Sequence, residues 1–422
     1  MKYKDIWKKA QKKFDEIRVR MIPVSERMYL FMLVLLTAYY MLTMTCVEIP
    51  WDKLGENFFP VRFIVKSFLL EPQYILLVIA VLRHLFSETY DWREILAAAV
   101  ISRCAFYAYE QVPYIEMLVM ILLMLGAKGS SFRRIVKIHF FTCLTVFVCT
   151  VIAAQTGLIE NMVYQVRTER AAFGFTYPTR FAAHVLFLIL WYWYLRGEEW
   201  TYQECLLPLA GSIFVKAFSD ARASSWLMAA LFAVMVYHVW RRQRGRRLEK
   251  PYHMNPVFSY LLAGSTILCT ILITIPTMLY TSENVRMVAL DGLLSSRLSL
   301  TKKGMDIFGF TLWGKWIRLA GNGGFLNGNR VYFYIDSAFL QFAIQYGVIM
   351  MSVILLLFWR VGILARKQKQ WILLWVMAFI AVHGIAEPHV LRVAYNPMIF
   401  AAFAVMEGGS DLRFEKKWKR GK

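Results

Sequence analysis

The stretch Ala338–Phe358 reads AFLQFAIQYGVIMMSVILLLF and contains no charged side chain. Met28–Val47, Ile138–Ile159 and Val257–Tyr280 share this character, and the four runs are each 20 to 24 residues long. A helix needs roughly 20 apolar residues to cross the hydrocarbon core of a bilayer. Between such runs most of the 49 Lys and Arg residues gather in every second gap. They crowd into Met1–Arg27, Ala127–Lys137, Arg241–Lys250, Arg360–Gln370 and Arg413–Lys422. That alternation is the positive-inside pattern, which sets the orientation of a multipass protein. It predicts an all-α, polytopic integral membrane helical bundle with both termini cytoplasmic. The working groups belong on the charge-poor side.

Composition points the same way, with 58% hydrophobic and only 18% charged residues. A net charge of +21 suggests nucleic acid in a soluble chain, but here the surplus flanks apolar spans. Anionic headgroups of the lipid bilayer are the ordinary partner of such segments, so nucleic-acid binding is rejected. The six cysteines lie in or beside apolar spans without a CxxC pair or a His companion, which argues against a disulfide framework or a zinc site.

About twelve spans follow from the length criterion, at roughly 28–47, 66–86, 94–109, 112–127, 136–155, 179–195, 203–219, 223–240, 257–280, 335–359, 371–386 and 393–408. The organisation is a basic amphipathic cytosolic segment 1–27, a membrane domain 28–408 and a basic cytosolic tail 409–422. In the first segment Trp7, Ala10, Phe14, Ile17 and Met21 recur at helical steps among lysines, the pattern of an interfacial helix. No repeat relates the two halves, which counts against inverted-repeat transporters.

Two outer segments stand apart, 155–179 and 281–334. The longer contains a predicted amphipathic helix over Asn284–Met305, followed by Gly- and Asn-rich turns. Arg297, Lys302, Lys303, Lys315, Arg318 and Arg330 lie there, on the side that should be poor in cations. Arg167, Arg170 and Arg180 accompany the shorter segment. Jointly these cations predict an anionic ligand, since the guanidinium fork holds phosphate oxygens in pairs. Isolated cations such as Lys53 and Arg392 read instead as snorkelling to lipid phosphates.

Four stretches, in order, resemble the Wzy-type O-antigen and capsular polysaccharide polymerases. They are Arg170-Ala171-Ala172-Phe173-Gly174-Phe175-Thr176-Tyr177-Pro178-Thr179; Ser219-Asp220-Ala221-Arg222-Ala223-Ser224; Ser295-Ser296-Arg297-Leu298 followed by Phe308-Gly309-Phe310-Thr311-Leu312-Trp313-Gly314; and Tyr334-Ile335-Asp336-Ser337-Ala338-Phe339-Leu340 with Tyr346-Gly347 beyond. The resemblance covers roughly residues 160 to 400. Tyr177 stands where His is common in the family and Ser337 where Asn is common, and the long loop lacks any His. The resemblance implies a GT-C-like polymerase/ligase fold in the bacterial plasma membrane. It also implies an undecaprenyl-pyrophosphate-linked oligosaccharide as substrate, no cofactor and no metal, and a flippase and a chain-length regulator of the same pathway as partners.

Such chemistry assigns phosphate contact to Arg170, Arg222, Arg297 and Arg318, with Arg167, Arg180, Arg330 and Tyr177 behind them. A base for the acceptor hydroxyl is sought among Asp336, Glu387, Asp220 and His389. Asp336 also suits a helix N-cap. His184, inside a span, reads as an interhelical hydrogen-bonding residue. Arg103 and Lys216 lie at membrane depth and demand partners. Trp191–Tyr194 read as interfacial belt residues, and the aromatics Trp313, Trp316, Phe325, Tyr332 and Tyr334 as a sugar groove or a membrane-resting surface. Two alternatives stay open: an O-antigen-ligase-type transferase acting on a cell-wall or lipid acceptor, and a lipid-linked oligosaccharide flippase.

Overall fold

A computed structural model describes residues 2–50, 54, 59–86, 91–165, 169–247, 254–294, 296–319, 321, 325–326, 329–330 and 333–406. The tail 409–422, Tyr332 and Arg167 lie outside the described residues. The fold is helical. In chain order it comprises α1 (Lys2–Leu42), α2 (Phe59–Val65), α3 (Gln73–Leu85), α4 (Trp92–Gln111), α5 (Ile115–Gly126), α6 (Phe132–Gln155), α7 (Pro178–Arg196) and α8 (Tyr202–Ser219). There follow α9 (Arg222–Arg247), α10 (Pro256–Ala263), α11 (Ser265–Leu279), α12 (Val285–Leu293), α13 (Arg297–Phe308), α14 (Ala338–Lys367) and α15 (Trp371–Ala386). Two small hairpins join them, β1 (Val163–Gln165) with β2 (Glu169–Ala171), and β3 (Phe325–Leu326) with β4 (Asn329–Arg330).

Among the described residues four helices are long and apolar enough to cross a membrane, or six if each of two bent pairs is one span. The chain is therefore an all-α, membrane-embedded protein. The basic N-terminal segment is helical but not separate: α1 carries it without a break into the first span. The spans read at 66–86 and 257–280 are bent, by 65° before α3 and by 64° between α10 and α11. At the second bend, a side chain on Gly362 would meet the Ala263 carbonyl oxygen at 2.3 Å, so α14 presses backbone to backbone against the break. Close approach through small residues is how helices gain contact where lipid supplies no hydrophobic drive.

The core includes α5, buried from Glu116 to Gly126 all round and packed by α1, α3, α4 and the 3-10 helix Met398–Ala402, and a second largely buried pair, α7 against α15. A helix that is apolar on every face belongs inside a bundle. Trp191, Trp193 and Tyr194 are buried in that interior and do not form an interfacial belt. Trp191 Nε1 is occupied by the Tyr395 carbonyl at 3.0 Å, a partner that lies 204 residues on and is invisible in the local sequence.

The reading of 393–408 as a helical span is corrected. Residues 393–406 form turns, a 3-10 helix at Met398–Ala402 and a bridge, with no α-helix. Arg392 meets Glu116 at the head of α5, whereas Val405 bonds to Ser130 and Phe132 past its far end. The segment thus traverses the bundle in irregular form. Such backbone survives at membrane depth only when buried in protein with its polar groups satisfied. Both conditions hold. Residues 393–403 are buried. His139 Nε2 reaches the Val393 oxygen at 2.8 Å, Cys143 Sγ the Ala394 oxygen at 3.3 Å, and Arg360 Nε the Ala402 oxygen at 2.9 Å.

The long loop is tied into α14, which is broken at Gly347 (φ 85°, ψ 164°). The stretch 311–315 docks in the break: Lys315 N donates to Gln345 O, Val348 N to Thr311 O and Ile349 N to Leu312 O, at 2.9 to 3.1 Å. Gly314 (φ 84°) and Gly347 face one another so closely that a side chain on Gly314 would lie 2.0 Å from the Gln345 oxygen. The predicted single helix Asn284–Met305 is instead two, since Ser296 turns left-handed and Asp291 Oδ1 caps the second through Leu298 N (2.8 Å).

Gly347→Ala forces a side chain into a backbone region reserved for glycine and into the Gly314 amide, so a cost of about 3 kcal/mol or more is expected. Thermal unfolding in detergent should show a clear drop in Tm, with faster proteolysis within 281–334. An unchanged Tm would mean the docked loop contributes nothing to the fold.

Candidate active site

Three segments distant in sequence converge where the long loop meets the bundle. Helix α15 ends at Glu387, the coil before α14 presents Asp336, and the first residue of α13 is Arg297. Arg297 Nη2 donates to Glu387 Oε1 at 2.9 Å, and its Nε lies 3.9 Å from Asp336 Oδ2. The side chains are 19%, 18% and 8% exposed for Arg297, Asp336 and Glu387 respectively, so the cluster is largely removed from water. One guanidinium therefore serves two carboxylates.

That shortage of cations has an electrostatic result. Burial pushes the Glu387 carboxyl up to about 7; Arg297 opposes the rise and Asp336 adds to it. Burial also raises Asp336, again against Arg297. A carboxyl tuned near neutrality inside a cluster of charges suits a general base. Asp336 is not the N-cap of α14: Ser337 holds that position, and its hydroxyl makes no capping bond.

Arg170 reaches the same place from β2. Its Nε donates to the Ser219 carbonyl at 2.9 Å while Ser219 Oγ donates back to Ala171 O at 3.0 Å, a reciprocal clasp between the hairpin and the end of α8. Arg170 is close enough to Glu387 to favour its ionised form. The following residues are threaded between two helix ends. Cys46 N bonds to Gly174 O (2.8 Å), Thr176 N bonds to Met44 O (3.0 Å), and Gly174 adopts φ 83° where a side chain would strike the Thr150 oxygen at 3.0 Å. Arg180, in the first turn of α7, donates to Thr176 Oγ1 and lies 5.2 Å over the Tyr177 ring, which stacks on Tyr164 at 5.5 Å.

The other expected residues are distributed differently. Asp220 caps α8 in a left-handed conformation and pairs with Lys216, with Arg222 Nε 3.9 Å away. Among the described residues neither Asp220 nor Arg222 contacts Arg297 or Glu387. Arg318 is exposed, and Arg330 stands in β4 with its backbone paired to Phe325. Arg103 pairs with Glu110 at 3.8 Å. His184 does not make the interhelical hydrogen bond expected of it; its ring stacks on Tyr395 at 3.9 Å and 16°.

Sequence reasoning missed Glu116 and Tyr395, and took Arg392 for a snorkelling cation. Glu116 Oε2 holds the Arg392 guanidinium and its Oε1 accepts from Val393 N at 3.1 Å, which fixes the turn carrying His389. A lone carboxylate heading the apolar run Ile115–Gly126 was the available signal, because an acid there needs a partner. Nothing local in the chain names Tyr395.

No protein-family model, curated protein or solved structure matches this chain.

Removing the cation nearest Glu387 should raise its titration midpoint further. In Arg297→Gln the protonated-carboxyl infrared band, assigned by its loss in Glu387→Gln, should persist above pH 7 where the unaltered protein has lost half of it. Because the folded carboxyl is harder to ionise than the unfolded one, Glu387 costs stability as pH rises from about 4.3 towards 7. A midpoint that stays put in Arg297→Gln would contradict the pairing.

Proposed function

We propose that the chain is a polysaccharide repeat-unit polymerase of the Wzy type. It transfers a growing glycan from undecaprenyl pyrophosphate to a lipid-linked oligosaccharide at the outer face of the bacterial plasma membrane. The observation that carries the reading is the cluster in which Arg297 bridges Asp336 and Glu387, with Arg170 within electrostatic reach. Its residues come from three of the four stretches that resemble the family, together with the end of α15.

In this reading the diphosphate of the donor takes Arg297 and Arg170. The bond from the anomeric carbon to the diphosphate oxygen breaks, the acceptor hydroxyl oxygen bonds to that carbon, and the hydroxyl proton passes to Glu387. The leaving group departs as an anion, so fixed cations in a water-poor site stabilise the charge that develops. Arg297 is engaged by Glu387. Donor phosphate competing for that guanidinium would release the carboxylate and raise its basicity, making the base most effective once donor is bound. In the same reading Arg180 and Tyr177 would back this centre, and Arg222, Arg318, Arg330 and Arg167 would serve the approach of the headgroup.

The topology proposed is twelve crossings with both termini cytoplasmic in a GT-C-like arrangement, the last crossing being the irregular stretch after Glu387. It is supported by Val405 meeting Ser130 and Phe132 in the basic gap 127–137. A flippase and a chain-length regulator would supply and limit the substrate.

The test uses purified protein, a synthetic diphosphate-lipid-linked repeat unit and a gel. A ladder of products is expected, slowed at least tenfold by Arg297→Gln or Arg170→Gln. Cells lacking the chain should accumulate single repeat units on the outer leaflet. Accumulation on the inner leaflet favours a flippase, and complete polymer left unattached favours a ligase.

A further inference from the structure

Behind Glu387 the chain turns through Pro388 to His389, whose ring is buried and fixed in plane. It stacks on Tyr395 with centroids 4.5 Å apart and planes within 7°, and Tyr395 stacks on His184 in turn. The Arg392–Glu116 pair and the Asn396 Nδ2 bond to the Val390 oxygen (2.8 Å) hold the turn on which His389 sits. The ring's Nε2 has no hydrogen-bond partner, and it lies 3.9 Å from Glu387 Oε2, the carboxylate oxygen that Arg297 does not take. A movement of about 1 Å closes that gap to hydrogen-bond length. Nothing in the mechanism above uses this contact.

We infer that His389 is a positioning residue for Glu387: its neutral ring directs an Nε2–H at Glu387 Oε2, orients the carboxylate and biases it towards the ionised form. Arg297 and His389 then grip one oxygen each, leaving the carboxylate aimed by two donors from opposite segments. Burial, reinforced by His383, Arg180, His184 and Arg392, holds the His389 imidazole well below its ordinary range. The ring is therefore neutral near pH 7 and carries a single N–H, whose placement follows from the acceptor facing it. The groups acting on Glu387 itself are Arg297 from α13, Asp336 ahead of α14 and Arg170 from β2. Of these only the arginines favour its charged form, and His389 adds a second hydrogen-bond donor beside Arg297. The catalytic consequence rests on the polymerase reading; the grip on the carboxyl does not.

Infrared titration of full-length protein in lipid nanodiscs tests the grip directly, with Glu387→Gln assigning the band. Loss of a donor to a carboxylate disfavours ionisation, so His389→Leu should raise the Glu387 midpoint by about one pH unit, a tenfold change in ionisation. His389→Gln, which keeps an N–H donor of similar reach, should return the midpoint to within a few tenths of the unaltered value. A midpoint unmoved in His389→Leu overturns the inference, as does one raised equally in both variants, which would mark a packing effect alone. Ladder formation measured on the same preparations separates the two proposals. If Glu387 titrates as described and no ladder forms at any pH, the polymerase reading falls and the role of His389 stands.

Discussion

A carbonyl at membrane depth has no water to bond with, and between Val390 and Ala402 the chain runs without an α-helix to supply a full set of internal partners. Side chains do so instead. Asn396, His139, Cys143, Trp191 and Arg360 donate to the oxygens of Val390, Val393, Ala394, Tyr395 and Ala402. These donors come from α6, α7, α14 and the segment itself, so the irregular crossing stitches the bundle together from within. An unmet buried carbonyl costs on the order of 1–3 kcal/mol, and five such groups left bare would outweigh much of a domain's net stability. The same stitching fixes the turn that carries His389 beside Glu387 at the loop end.

At that end cations and carboxylates are both drawn out of water, and the balance between them is uneven. Arg392 is engaged by Glu116, while Arg297 is divided between Glu387 and Asp336. A divided guanidinium leaves a carboxyl near its switching point, and burial lifts Glu387 to about 7. Fully paired charges, like Lys216 with Asp220, have less to give to a ligand. The functional proposal rests on this difference between satisfied and under-satisfied charge, more than on the number of arginines facing outwards.

The spans were legible because apolar length is a strong signal and a bilayer imposes it. Met28–Val47, Ile138–Ile159 and Ala338–Phe358 fall largely or wholly within α1, α6 and α14. The bends at Gly264 and Gly347 were not legible, since each depends on a backbone partner far away: Gly362 for the first, the 311–315 stretch for the second. Apolar composition also misled at 393–408, because burial in protein and burial in lipid select the same residue types. Trp191–Tyr194 failed for the same reason. Within the site, Arg170, Arg297, Asp336 and Glu387 were each singled out, but nothing local said that Arg297 would bridge Asp336 and Glu387, which lie far along the chain. Pairing is a tertiary fact.

The stretches around Arg170, Arg297 and Asp336 that resemble the polymerases are also the ones that the fold brings to one place. Chance motif matches have no reason to meet, which gives the proposal its weight. Its central claim is that the shared guanidinium of Arg297 exists to hold a lipid diphosphate. Calorimetry of undecaprenyl diphosphate binding to nanodisc-embedded protein tests that claim most directly. The account predicts saturable binding that weakens at least tenfold in Arg297→Gln, through loss of a bidentate charge-assisted contact. Equal affinity in the two proteins would contradict it.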